Sequence, residues 1–342
     1  MGASVRKIAK MSGVSVATVS RVLNKQPGVK PETEAIVRKY IEEYDYAPRM
    51  IKKNDAPNIC AIIPWETDTD SDWYVGQLIR GLGNYAFMNN LNFGVLPFNT
   101  AIAGRVDIVQ ELKRNNVDGV VVLNGTSDSG YINDLHNNKI PYMLVNEDMR
   151  GTANCVLADA YDGTRRMAEY LIELGHREIL FVQGWTAISD VRERTRGFLD
   201  AMELAGIDDP HAHIHPHSGY GPNLYEAGYS IMTQLLNQNK KYTAILANCD
   251  SIALGALKAC RENGISVPDN ISIAGYDESL FGQYSFPAFS SIRQPLKQMS
   301  ELAMREVHNF IRDGFPKSPV IHKIPVEIII KGSTGPIPSC PL

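Results

Sequence analysis

Residues 15–24 read SVATVSRVLN, and several of these side chains are equipped to meet a nucleic acid. The guanidinium of Arg21 can donate two parallel hydrogen bonds to guanine O6 and N7, or it can clamp a phosphate. The hydroxyls of Ser15, Thr18 and Ser20 and the amide of Asn24 suit phosphate contacts, which fix register without reading bases. The charge distribution agrees. Residues 1–54 carry eleven Lys/Arg against five Asp/Glu, a net of +6, while the chain as a whole is at −4, which leaves −10 for the remainder. A basic head on an acidic body points to a polyanionic partner for the head alone.

Other chemistries find less support. In HAHIHPHSGY (211–220) the histidines His211, His213, His215 and His217 alternate and would share one face of a strand. Neighbours two apart on one strand still need further ligands to close a metal site, so the run reads as a polar loop entering a strand and no metal is expected. The five cysteines (Cys60, Cys155, Cys249, Cys260, Cys340) are scattered without a CxxC pair, which argues against a disulfide framework or a zinc site and for a reducing cytoplasm. No apolar run approaches the roughly 20 residues that span a bilayer. The first ten residues, MGASVRKIAK, hold no signal segment, and Arg6 breaks the myristoylation pattern. No membrane partner is expected. GLGNYA (81–86) lacks the third glycine of a dinucleotide fingerprint, and neither GxxxxGK[ST] nor GxSxG occurs. An enzyme is therefore not expected, nor a cofactor.

The elements that must position these residues are set by periodicity. Val5, Ile8, Ala9 and Ser12 lie at helical spacing, Gly13 breaks the run, and Ser12 or Ser15 can cap the next helix. Val16, Val19, Val22 and Leu23 mark that second helix. Pro31, with Glu32 and Glu34 behind it, opens a third that carries Ile36, Val37, Tyr40, Ile41 and Tyr44. Ala9, Gly13 and Val19 supply the small residue, turn and joint-filling side chain that a helix-turn-helix requires. The first two helices therefore cross closely, with Val19, Val22 and Leu23 facing the head's own core. A Pro-rich, charged linker occupies 47–58. Strand-length apolar runs then recur at 59–64, 93–98, 119–124, 142–146, 155–159, 178–184, 243–248 and 271–277. Helical stretches such as 75–90, 104–115, 162–174, 192–205, 225–238, 251–263 and 296–313 separate them. Near-continuous apolar strands alternating with helices indicate doubly wound parallel sheets covered on both faces, arranged as two similar α/β halves with a cleft at the strand C-termini.

VRKIAKMSGVSVATVSRVLN, then V-x-P-E-T and Y-D-Y-A-P, resembles the head of the lactose-repressor (LacI/GalR) family of bacterial transcription regulators. LIELGHREILFVQG, RTRGFLDAMELAGI, ALGALKACRENGISVPDNISIAGYDE and PAFSSIRQP continue the resemblance through the body. It implies an all-α helix-turn-helix head at 1–46, a hinge at 47–57 and a two-subdomain body shaped like a periplasmic binding protein at 58–334, followed by a tail. The first subdomain is expected at about 58–157 plus 291–320 and the second at about 158–290 plus 321–334. The resemblance further implies a homodimeric, cytoplasmic and nucleoid-associated repressor on a pseudo-palindromic double-stranded operator, controlled by a small effector, a sugar, in the cleft.

By the same resemblance Val16 and Ala17 are the positions that meet base edges. Their short apolar side chains can only touch thymine methyls or exclude wrong bases. The implied effector residues are Arg194 (in RTRGF), Asp277 (in GYD), Asp250 (in NCD), Asn146 at the end of YMLVN, the aromatic pair Trp73 and Tyr74, and Asp190 in a loop before Arg194. Aromatic platforms with Asp, Asn and Arg partners suit sugars. Departures are visible. Cys249 stands where the family has Asn, and WETDTDSDWY (65–74) is longer and more acidic than the corresponding loop. The hinge segment is about one helical turn, ~4 residues, short, and Asp55, Ala56 and Pro57 oppose a helix there. Met50 or Ile51 is the candidate minor-groove wedge, with Lys52 and Lys53 on phosphate. Asp250 has a competing role as a cap for a helix beginning at Ser251. The competing reading of the whole chain is a sugar-binding or sugar-handling α/β protein whose basic head serves another partner.

Overall fold

The computed structural model describes residues 5–23, 28–44, 56–64, 72–98, 107–123, 130–216, 223–238 and 242–337. The chain divides into two compact units, one of residues 1–55 with 110–117 and the other of 56–109 with 118–342.

In the head, α1 (Val5–Ser12), α2 (Val16–Leu23) and α3 (Pro31–Glu43) keep the expected order. Gly13 sits at φ +68°, the left-handed conformation that glycine adopts without steric cost, and so makes the tight turn between α1 and α2. Ser15 caps α2: its Oγ accepts from the Thr18 N–H at 3.1 Å. Ser12 instead closes α1 by donating to the Ile8 carbonyl at 2.7 Å. Ile8, Ala9, Val19, Val22 and Val37 form the head's core, with Leu23, Tyr40 and Ile41 packed against it.

The body carries two six-stranded sheets. The first joins β1 (Asn58–Pro64), β2 (Asn92–Phe98), β3 (Gly119–Leu123), β4 (Tyr142–Val145), β5 (Cys155–Ala158) and, far along the chain, β11 (Ile321–Ile324), all in parallel. Helices α4 (Asp72–Met88), α5 (Ile108–Arg114) and α6 (Gly130–Asn137) fall between its strands in the chain. The second sheet joins β6 (Ile179–Val182), β7 (Ile214–His215), β8 (Ala244–Ala247), β9 (Ser272–Tyr276), β10 (Ser290–Arg293) and β12 (Glu327–Ile329), with β12 antiparallel to β10. Its helices are α7 (Ala160–Glu173), α8 (Ser189–Leu204), α9 (Leu224–Asn237), α10 (Asp250–Glu262) and the short α11 (Leu280–Tyr284), while α12 (Leu296–Asp313) returns to pack on the first sheet.

Burial obeys the strand period. Ile179 and Phe181 enter one core cluster with Phe198 and Met202 of α8, and Leu180 and Val182 enter another with Ile231, Met232 and Ile252 of α9 and α10. Both faces of the second sheet are thus covered, which is why its strands read as unbroken apolar runs.

The subdomain boundaries differ from those expected. Residues 290–293 belong to the second sheet, because Ser290–Ile292 pairs with Ala274–Tyr276 and Ile292 is fully buried. Residues 321–324 belong to the first, in register with Cys155–Ala158. The chain therefore crosses between lobes near 159, near 294–295 and near 325–326. Both strands are short and half polar (SSIR, IHKI), so their apolar pattern alone does not mark them. The histidine run does not form one strand either. Pro210–His213 is a 3-10 turn, only Ile214–His215 pairs with β6, and buried His213 bonds the Ile179 carbonyl through Nδ1 at 3.0 Å. His217 lies outside the described residues.

Candidate functional site

The head presents α2. Its helical phase buries Val19 and Val22 and turns Val16, Ala17 and Arg21 outward; Ser15 is also exposed, and Thr18 and Ser20 are half-buried. Val16 is 47% exposed, unusual for a valine in so small a unit and apt for contact with a partner. Ser15 keeps a second role in folding, since its hydroxyl is the α2 cap and lies 2.9 Å from that of Thr18. Asn24 and the hinge candidates Met50, Ile51, Lys52 and Lys53 lie outside the described residues.

The body holds a cavity of about 140 Å³ between its two sheets. Its lining is set by one topological rule: the residue just past a parallel strand's C-terminus faces the cleft. Asn146 comes after β4, Asn248 after β8, Asp277 after β9 and Gln294 after β10, and Trp185 lies three residues past β6. The expected residues Trp73, Tyr74, Asn146, Asp190, Arg194, Asp250 and Asp277 all reach this cavity. Gln294, Trp185, Asn248, Ser279 and Phe281 join them without having been singled out in the sequence. The strand-end rule itself points to Asn248 and Gln294. Ser279 and Phe281 lie beyond the turn after β9 and carry no comparable signal.

A chain of hydrogen bonds crosses the cleft floor. Asn146 Nδ2 donates to Tyr74 Oη and to Gln294 Oε1, both at 2.8 Å, and Gln294 Nε2 donates to Asp277 Oδ1 at 2.8 Å. Asn146 Oδ1 accepts from the Ala158 N–H at 2.9 Å, so the side chain is held at both ends. Asn146 adopts φ +57° and Asp277 φ +110°; left-handed backbone at non-glycine positions is strained and gathers at functional sites.

Asp190 is not in a loop. Helix α8 starts earlier than its apolar period suggests, at Ser189, because Glu147 Oε2 accepts the Ser189 N–H at 2.9 Å and holds the helix start. Asp190 then stands one turn before Arg194, and the two form a buried ion pair. Arg194 Nη2 donates to Asp190, Nη1 donates to the Asn248 carbonyl, and the guanidinium lies 3.5 Å from the Tyr276 ring centroid. Burial works against the arginine's charge, but Asp190, Tyr276 and Asp277 more than restore it and its pKa is raised. Burial pushes Asp190 up and Arg194 pulls it back, leaving it raised.

Asp250 serves the fold. Its Oδ2 accepts from the Ser279 N–H at 2.6 Å and its Oδ1 from Ser291 Oγ at 2.8 Å, and it is 1% exposed. It is the first residue of α10, with Cys249 at the N-cap position, so the expected capping of a helix at Ser251 is replaced by a brace between α10, the turn after β9 and β10. Burial, only partly offset by Ser291 and Ser279, brings its pKa up to about 6. Asp277, partly exposed to the cavity yet ringed by protein, is pushed up to about 7 by burial, against the pull of Arg194. Burial and the neighbouring Asp277 push the Cys249 thiol up to about 12, so it lines the cavity as a neutral group.

Three buried polar atoms of the residues lining this cavity have no hydrogen-bond partner among the described residues: Trp73 Nε1, Arg194 Nε and Asn248 Oδ1; Tyr276 Oη, on the ring stacked against Arg194, is unpartnered too. Buried polar groups are nearly always paired, so two donors and an acceptor left over in one cavity wall mark a site for a polar ligand. No group of three or more His, Cys, Asp or Glu is placed to hold a metal ion, and no helix is long and apolar enough to cross a membrane, among the described residues.

Comparison with known proteins agrees with this geometry. Residues 4–49 match the pattern of bacterial regulatory proteins of the lacI family, and residues 168–334 match a periplasmic binding protein-like domain. The chain is 27% identical over 321 residues, 92% of its length and 93% of the relative's, to the probable HTH-type transcriptional repressor ExuR of Bacillus subtilis (strain 168). In structure it superposes on the transcriptional regulator CelR in complex with cellobiose (TM-score 0.73, 24% identity, 97% and 99% of the two chains covered). It likewise superposes on the lac repressor dimer bound to operator and the anti-inducer ONPF (0.72, 20%, 98% and 100%). Head and body together define a DNA-binding transcription regulator with a periplasmic-binding-protein-like domain. The chain belongs to the lacI family of bacterial regulatory proteins. That family is one of regulators rather than enzymes.

Proposed function

We propose that the protein is a repressor that works in the cytoplasm, at the nucleoid, and binds a pseudo-palindromic operator as a homodimer, with its affinity set by a small carbohydrate in the cleft. The unpartnered polar atoms of Trp73, Arg194 and Asn248 in an aromatic-lined cavity carry the ligand reading. Sugars present hydroxyls that both donate and accept, and CH faces that stack on aromatic rings such as those of Trp73 and Tyr74. Trp73, Tyr74, Asn146, Asp190, Arg194 and Asp277 are the contact set, and Asp250 braces it. The cellobiose in CelR supports a sugar, and the operator-bound lac repressor dimer supports the DNA partner and the dimer. Exposed apolar side chains on the body, Phe87, Met88, Tyr284 and Phe286, are each at least 77% exposed and suit a partner subunit.

Two heads of a dimer would read half-sites about one helical turn apart. Because cavity residues come from both lobes, a ligand favours the closed arrangement of the lobes and shifts the population of operator-competent dimers. Isothermal titration with a sugar panel, with and without operator DNA, tests this. Identical affinities in the two titrations would end the allosteric claim, because coupling between two ligands must be reciprocal.

At the head, Arg21→Ala is expected to weaken specific operator binding by ~1–3 kcal/mol, which a gel-shift titration reads. At the cleft, a sugar hydroxyl donating to Asp277 favours its charged form and lowers its pKa below the free value of about 7. Binding then releases a proton, and affinity rises with pH up to about 7 and levels off above. The heat of binding at pH 7 should differ between two buffers of unlike ionisation enthalpy; equal heats would remove Asp277 from the contact set. Asp250 and Asp277 also make the free protein less stable as pH climbs from about 4 toward 7, since the folded form holds protons that the unfolded chain has released.

A further inference from the structure

The charges around the cavity narrow the ligand class. Three carboxylates, Asp190, Asp250 and Asp277, line it against one arginine. The charge of that arginine is already matched by Asp190. A carboxylate or phosphate is gripped by the paired N–H groups of the guanidinium fork. Here Nη1 and Nη2 each already give one N–H, to the Asn248 carbonyl and to Asp190, one face is stacked on Tyr276, and Nε is buried with no partner among the described residues. The cations nearby are neutralised in the same way: Glu278 pairs with both Arg293 and Lys331, and Arg293 pairs with Glu327.

Helix N-termini are the other common place for an anion to bind. Several helices begin at this cleft; at α8 and α10 the chain's own carboxylates stand there, and at α9 and α11 the Asn223 and Ser279 side chains already accept from the first turn. Glu147 accepts from the first N–H of α8 with Asp190 beside it, and Asp250 occupies the first turn of α10. A phosphate entering the cavity would meet charges of its own sign where a phosphate-binding protein would supply free donors. The unsatisfied atoms of the cavity wall, Trp73 Nε1, Arg194 Nε and Asn248 Oδ1, offer single hydrogen bonds in both directions, as neutral hydroxyls require.

We propose that the cleft takes an uncharged, hydroxyl-rich ring compound and rejects the anionic derivatives of the same ring, its phosphate esters and uronates, with Asp277 and Asp190 as the discriminating groups. The proposal rests on the carbohydrate reading of the cleft and adds charge selectivity to it. Asp277 is the sharper discriminator of the two, because it faces the cavity with no ion-pair partner of its own among the described residues, whereas Asp190 is balanced by Arg194.

The test titrates the full-length chain at pH 8, where Asp277 is ionised, with neutral sugars (glucose, galactose, ribose, cellobiose) and matched anions (glucose 6-phosphate, galacturonate, ribose 5-phosphate). At least one neutral sugar should bind, with its anionic counterpart about tenfold or more weaker, as like-charge juxtaposition demands. The Asp277→Asn variant keeps an oxygen for the Gln294 amide while removing the charge, and should narrow that gap about tenfold, a change in ratio that a merely structural residue would not produce. An anion binding as tightly as its neutral partner, or a ratio unmoved by Asp277→Asn, overturns the selectivity while leaving a carbohydrate cleft in place. If no member of either set binds, the carbohydrate reading itself falls and the proposal falls with it.

Discussion

Replacing Arg194 by lysine should weaken ligand binding about 100-fold, near the upper end for losing a hydrogen bond to a charged group, while the chain still folds. Arginine does three things here that an ammonium cannot do together. It bridges Asp190 and the Asn248 carbonyl with two different nitrogens, lays a flat face on Tyr276, and keeps Nε in the cavity wall. Lysine retains the charge opposite Asp190 but is a point donor on a flexible stem. Alanine is the less informative change, because it strands a buried carboxylate, a loss of about 3–5 kcal/mol that confuses binding with folding. Calorimetry gives the affinity and a urea transition the stability. An Arg194→Lys chain that binds within about threefold of the parent, well under one hydrogen bond's worth, would show that the arginine holds the lobe together and does not hold the ligand.

What the sequence discloses and what it hides separate along a physical line. Signals that live within a few residues are legible: the turn at Gly13, the phase of α2, and the apolar strands covered on both faces such as ILFV of β6. RTRGF marks Arg194 through its likeness to a known family. The contacts that decide roles are made between distant segments. Asp250 reads equally well as a sugar ligand or a helix cap; only the approach of Ser279 and Ser291, 29 and 41 residues away, shows its oxygens to be taken. The start of α8 is hidden for the same reason, since the carboxylate that holds Ser189 lies 42 residues back at Glu147. Strands β10 and β11 escape because each is short and half polar and is recognised by the strands it pairs with rather than by its composition. Asn248 shows the reverse. It stands beside Cys249, the conspicuous departure from the family pattern, and it brings an unpartnered amide oxygen to the same cavity.

Gly255→Ala should destabilise the body by about 3 kcal/mol or more, at or beyond the upper end of ordinary overpacking. Helices α9 and α10 cross where Gly228 and Gly255 let the backbones meet. A Cβ on Gly255 would lie 1.9 Å from the Tyr225 carbonyl oxygen and 2.7 Å from the Tyr229 nitrogen, and one on Gly228 would lie 2.0 Å from the Ile252 carbonyl oxygen. These are backbone atoms within helices, so no side chain can swing aside and the two helices must part. Helix α10 cannot retreat alone, because Asp250 at its first turn is bonded to Ser279 and Ser291 and lines the ligand cavity. The substitution therefore reaches the cleft: the urea midpoint should fall, and ligand affinity should fall with it although no contact residue has changed. Gly228→Ala should behave alike. The double variant should cost clearly less than the two single costs combined, since helices already parted by one methyl leave room for the other. Strictly additive costs would mean that the two glycines relieve separate clashes, and that one shared crossing does not set the place of α10 at the cleft.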